Sequence, residues 1–79
     1  MSQPIVQIYS TPTCHFCHLA KDYFTENHIA FEDFNVAVDA AKRSEMVTKS
    51  GQLGVPVILI GDEVIVGFEQ DKIKGLLGL

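Results

Sequence analysis

Apolar and polar positions along the 79 residues change period several times, and each change marks an element. Ile5-Val6-Gln7-Ile8-Tyr9 is rich in β-branched and aromatic residues and predicts a strand. Ser10-Thr11-Pro12-Thr13 follows as a turn with capping residue types. From His15 to Asn27 the apolar residues Phe16, Leu19, Ala20, Tyr23 and Phe24 recur at helical spacing. Ile29 to Phe34 reads as a second strand, with Phe31 and Phe34 its large apolar residues. Asp39 suits the N-cap of a second helix, which carries Ala40, Met46 and Val47 and stops at Gly51. Val57-Ile58-Leu59-Ile60 is almost continuously apolar, the pattern of a strand buried on both faces. Gly61-Asp62 is a turn signal, and Glu63 to Val66 pairs back as the second arm of a hairpin. Gly67 breaks that strand. About Glu69 to Leu77 is helical, with Ile73, Leu76 and Leu77 on one face and Glu69 and Asp71 at the positive end of the dipole.

The order is βαβ followed by αββα. A βαβ unit needs a parallel pair joined by a right-handed crossover, and the terminal hairpin adds an antiparallel edge. The expected architecture is α/β: one domain over residues 1–79, with a four-stranded mixed sheet flanked by three helices. A chain this short buries only about 60% of its unfolded surface, so its core margin is thin.

Composition narrows the function. The chain is 47% apolar and 20% charged, with a net charge of −4, and no run of Lys or Arg forms a stripe for nucleic acid. Met1 to Ser10 lacks a basic segment, and its apolar run is broken by Gln7, so neither a signal peptide nor a membrane span is expected. The expected compartment is the reducing cytoplasm. The only two cysteines, Cys14 and Cys17, stand three positions apart. In a reducing compartment such a pair points to redox chemistry or metal binding, not to a disulfide framework.

Thiol–disulfide exchange needs an attacking thiolate, a second thiol within reach and access for the substrate. Cys14 falls at the predicted start of a helix, where free N–H groups and the dipole favour a negative sulfur. Cys17 lies one turn on, pointing back toward the helix body, and is expected to be the more buried. Cys14 is therefore read as nucleophile and Cys17 as resolving thiol. Thr13, His15 and Phe16 surround the pair as candidate substrate contacts. His15 is placed to tune the potential, His18 reads as a solvated helix residue, and Phe16 either joins a substrate rim or folds into the core.

Two further signals accompany the pair. In Gly54-Val55-Pro56, a proline before a buried strand leaves neighbouring backbone groups free, so Val55 N–H and C=O can pair with an extended substrate; otherwise Pro56 is an ordinary turn residue. Gly67-Phe68-Glu69 opens the last helix. Its glycine either lets a carboxylate ligand approach free N–H groups or belongs to a plain turn anchored by Phe68.

These three segments, in this order, resemble the glutaredoxin family of the thioredoxin fold. The resemblance covers nearly the whole chain: Tyr9 to Cys17, Ser50 to Pro56, and Gly61 to Gly67 with an acidic residue opening the last helix. It implies a thioredoxin-like fold, a cis-proline at Pro56 near the two sulfurs, substrate pairing at Val55, and no tightly bound cofactor. Implied partners are disulfide-containing proteins, with glutathione or a flavin-dependent thioredoxin reductase as electron donor. The chain departs from the common pattern. His15-Phe16 replaces Pro-Tyr, Thr11 stands where a basic residue meets a glutathione carboxylate, Gly54 replaces Thr, and Gly67-Phe68 replaces Gly-Gly. Gly67-Phe68 and the Cys-x-x-Cys-His run are more similar to the glutaredoxin-like electron donors of ribonucleotide reductase, which are reduced by thioredoxin reductase.

Rival readings use the same residues. Cys14 to His18 matches c-type haem attachment, which needs export, a mostly helical fold and an axial ligand such as Met46. Structural zinc needs four ligands, and no second Cys or His pair completes a site around Cys14, Cys17, His15, His18 or His28. An iron–sulfur cluster shared between protomers through Cys14 and glutathione needs the glutathione contacts that this chain lacks.

Overall fold

The computed structural model describes residues 4–79; the portion of the leader reading that concerns Met1 to Gln3 lies outside them. The elements are β1 (Val6–Ser10), α1 (His15–Glu26), β2 (Glu32–Asn35), α2 (Ala40–Ser50), β3 (Val57–Ile60), β4 (Glu63–Val66) and α3 (Gln70–Leu77). The sheet order is β2-β1-β3-β4. β1 and β2 are parallel, and the β1/β3 and β3/β4 pairs are antiparallel. This is the four-stranded mixed sheet with three helices expected from the element order.

Alternation along the central strands divides the core into two layers. Ile8, Ile58 and Ile65 stand opposite one another and pack with Ala20 and Phe24 of α1 and Ile73 of α3. Tyr9, Val57 and Leu59 point to the other face, against Met46 of α2. With helices on both sides, every residue of β3 is buried, which explains its unbroken apolar run. Each fully buried side chain of this size contributes about 1.5–3 kcal/mol of transfer free energy.

The first two strands start later than expected, and each runs one residue further, to Ser10 and Asn35. Ile5 lies outside β1 and is 70% exposed, because the ladder with β3 begins at Val6 opposite Ile60. The second strand starts at Glu32, not Ile29. Ile29 is buried, but it closes α1: its N–H donates to Phe24 C=O at 2.8 Å, and the His28 N–H donates to Thr25 C=O at 3.1 Å. His28 adopts φ 57°, so this is a Schellman ending with a histidine in the left-handed position and an Ile29–Phe24 apolar contact. Pairing with β1 becomes possible only at Glu32, opposite Gln7. α2 keeps its expected bounds, with Asp39 accepting from Lys42 N–H at 3.0 Å and Gly51 at φ 75°. α3 starts at Gln70, and Glu69 makes no side-chain cap bond. Among the described residues no helix is long and apolar enough to cross a membrane.

Candidate active site

Register collects the singled-out segments at one end of the sheet. Tyr9, Val57 and Val66 stand side by side in β1, β3 and β4. The residues just beyond them, Ser10, Pro56 and Gly67, therefore share that end, and the Gly67 N–H donates to the Pro56 C=O at 2.8 Å. The chain leaves β1 there, turns through Thr11 to Thr13 and enters α1.

Cys14 is the N-cap of α1, with an extended backbone at φ −86° and ψ 114°. Its sulfur accepts the Cys17 N–H at 3.2 Å. The Cys14 N–H donates to Thr11 C=O at 3.3 Å, and the Cys14 C=O accepts from His18 N–H at 3.2 Å. Both cysteines are free thiols; Cys14 is partly exposed and Cys17 fully buried. Burial pushes the Cys17 thiol up to about 12, reinforced by its hydrogen bond with Cys14; a backbone hydrogen bond from Thr11 and the Lys21 charge pull the other way. The pair thus has one accessible sulfur and one held back as a neutral thiol.

The flanking residues divide. Phe16 is 58% exposed beside the pair, its ring edge-on to His15 at 5.5 Å, so it does not fold into the core. Thr13 and His15 are exposed. His18 is not merely solvated: its Nε2–H donates to Pro12 C=O at 2.8 Å and ties α1 to the turn. Pro56 is buried behind a cis Val55–Pro56 bond. Val55 is half-buried, and its N–H and C=O have no hydrogen-bond partner among the described residues. The preceding loop is stiffened by Gln52, whose amide accepts from Gly54 N–H at 2.5 Å and donates to Gly54 C=O at 3.0 Å. Leu53, 68% exposed, adds an apolar side chain to this loop.

At the third segment the Gly67 N–H donates to the Pro56 C=O, so it is not one of the free N–H groups at the start of α3. Gly67 sits at φ 88°, a conformation that favours glycine. Phe68 packs on Tyr23 with ring centroids 5.8 Å apart and anchors the turn.

The sequence reading did not single out Ser10, Lys21 and Asp33, which hydrogen-bond to one another and put the Lys21 charge where it acts on Cys17; the available signal was Lys21 standing four residues after Cys17 on one helix face. Among the described residues, no group of three or more His, Cys, Asp or Glu is placed to hold a metal ion. A groove of about 320 Å³, lined by Pro4, Ile5, Val6, Ala30, Phe31 and Glu32, lies at the opposite end of the sheet.

The family model described as glutaredoxin matches residues 6–65, from the start of β1 into β4. The chain belongs to the glutaredoxin family. It is 47% identical over 73 residues to the uncharacterized glutaredoxin-like 8.6 kDa protein in the rubredoxin operon of Clostridium pasteurianum, covering 92% of this chain and 97% of that one. It is 39% identical over 62 residues to glutaredoxin 3 of Escherichia coli K12, covering 78% of this chain and 75% of that one. The glutaredoxin-like NrdH-redoxin from Escherichia coli, described for its thioredoxin-like activity profile, superposes with a TM-score of 0.78 at 30% identity, over 90% of this chain and 92% of that chain. Membership implies thiol oxidoreductase activity, and the thioredoxin-like fold agrees with the element order read from sequence.

Proposed function

We propose that this glutaredoxin-family protein reduces disulfides of protein substrates through Cys14 and Cys17. The observation that carries the reading is the Cys17 N–H aimed at a partly exposed Cys14 sulfur, with the second thiol buried one turn below. In the first step the Cys14 thiolate attacks a substrate disulfide; a Cys14–substrate bond forms and one substrate thiolate leaves, taking up a proton. The Cys17 N–H holds the attacking sulfur at the helix start. The N–H and C=O of Val55, without partners among the described residues, hold the substrate backbone in an extended pose beside Pro56, and Phe16 and Leu53 offer it an apolar rim. Cys17 then attacks the Cys14 sulfur, which releases the second substrate thiol and leaves an intramolecular disulfide. Two protein thiols are oxidised and one substrate disulfide becomes two thiols.

A flavin-dependent thioredoxin reductase restores the dithiol faster than glutathione does. Thr11 supplies no cation for a glutathione carboxylate, and the superposed NrdH-redoxin has a thioredoxin-like activity profile. In a recycling assay, Cys14→Ser abolishes reduction of insulin disulfides, while Cys17→Ser accumulates mixed disulfides visible by mass spectrometry. Full activity in Cys14→Ser overturns the mechanism. Faster turnover with glutathione and its reductase than with thioredoxin reductase overturns the donor assignment alone.

A further inference from the structure

We infer that Lys21, held by Asp33 and Ser10, sets the rate at which Cys17 resolves the mixed disulfide; the inference rests on the mechanism proposed above. The network spans three elements. Lys21 follows Cys17 by four residues on α1 and so shares its face. Its ammonium donates to Asp33 Oδ2 on β2 at 3.0 Å and to Ser10 Oγ on β1 at 3.4 Å. Ser10 Oγ in turn donates to Asp33 Oδ1 at 2.6 Å. Ser10 is buried and is the last residue of β1, where the chain turns toward Cys14. The Lys21 side chain is only 22% exposed. The cation is therefore folded back against the sheet on the side of the buried cysteine, not extended into water.

Resolution requires Cys17 to become an anion in a buried place. The groups around it are Cys14 on its own turn, the Thr11 amide from the loop, Lys21 on α1, and Asp33 and Ser10 from β2 and β1 behind Lys21; β3 carries no ionisable residue. Of these, Lys21 favours the thiolate and Asp33 opposes it. In the step itself Cys17 gives its proton to solvent, and its sulfur bonds to Cys14 Sγ. The Cys14–substrate bond breaks, and the substrate sulfur leaves with the electron pair and takes up a proton.

A plain ion pair pinning α1 to the sheet makes a different prediction, because deleting either partner then acts in the same direction. Electrostatic control gives opposite signs. A single neighbouring charge changes a thiolate fraction by roughly tenfold. Nucleophilicity moves against acidity with a slope of about 0.4–0.5, so the net change in attack rate is about threefold.

The test mixes reduced protein with dithiobis-nitrobenzoate and follows release of the yellow thiolate. The first phase reports attack by Cys14 and the second reports resolution by Cys17. Lys21→Met slows the second phase about threefold and leaves the first unchanged, whereas Asp33→Asn accelerates the second phase about threefold. Lys21→Gln, which keeps donors for Ser10 and Asp33 without the charge, matches Lys21→Met, and Lys21→Arg stays near the parent rate. Lys21→Met and Asp33→Asn moving the second phase in the same direction, or neither moving it, overturns the inference. A first phase that persists in Cys14→Ser overturns the underlying mechanism instead.

Discussion

Two helices of this protein open with the same hydrogen bond made by different atoms. At α2 the Asp39 carboxylate accepts the Lys42 N–H at 3.0 Å, and at α1 the Cys14 sulfur accepts the Cys17 N–H at 3.2 Å. Both cap residues are extended, with ψ 94° and 114°, and both reach the third residue of their helix. An oxygen in that place is worth about 1 kcal/mol to a helix. A thiol sulfur is a weak acceptor and a poor cap. α2 uses the position for stability, whereas α1 gives up part of that stability to hold the proposed nucleophile at its first turn. The same backbone geometry thus serves two ends, and only the identity of the side-chain atom tells them apart.

The largest separation between the two caps comes from Cys14→Ser. It reduces disulfide turnover to background, because serine supplies no exchangeable sulfur, while the circular dichroism of the helices is kept. A turnover rate within tenfold of the parent places the chemistry elsewhere.

Next in size is the alkaline side of the stability curve. The Cys17 thiol ordinarily titrates at 9.0 and is held to about 12 in the fold. Between those values the folded state binds the proton that the unfolded chain has released, so stability falls as pH rises through that window and is untouched below it. Denaturant midpoints of the reduced protein drop from pH 9 to 11 more steeply than those of Cys17→Ala, which isolates this thiol from Tyr9, whose hydroxyl burial also pushes upward. Parallel curves for the two proteins count against a thiol held neutral by burial.

Asp39→Ala costs about 1 kcal/mol of unfolding free energy through its lost cap and leaves turnover unchanged. Loss of activity in that variant makes α2 part of the site. The smallest effect is on the other cap: Cys14→Ser raises unfolding free energy by a few tenths of a kcal/mol, since a hydroxyl caps better than a thiol. A decrease shows that the sulfur contributes packing beyond its hydrogen bond.

Much of the site was legible because its requirements are local. A Cys-x-x-Cys at a strand-to-helix junction states its own geometry, since one helical turn separates the thiols and the first sits at the cap. Likewise, Asp39 and Gly51 bound α2 by capping chemistry that acts over a few residues. Less legible was Ile29, whose apolar character suits a strand and a Schellman contact equally well. Phe16 fits the apolar spacing of α1, yet the buried face is formed by Cys17, Ala20 and Phe24, one position around. His18 gave no sign of its bond to Pro12, because that bond depends on the path of the turn.

Periodicity and capping act within a dozen residues, so the sequence alone determined the order of the elements, the buried central strand and the polarity of the cysteine pair. Contacts between Ser10, Lys21 and Asp33, the occupied N–H of Gly67 and the Val55 backbone left without a partner among the described residues were decided only when β2, β1, β3 and β4 were laid side by side and α1 packed on them. Register sets which backbone groups are used up and which charges meet across strands. It depends on how the whole hydrophobic surface is buried, a quantity that no single stretch of chain contains.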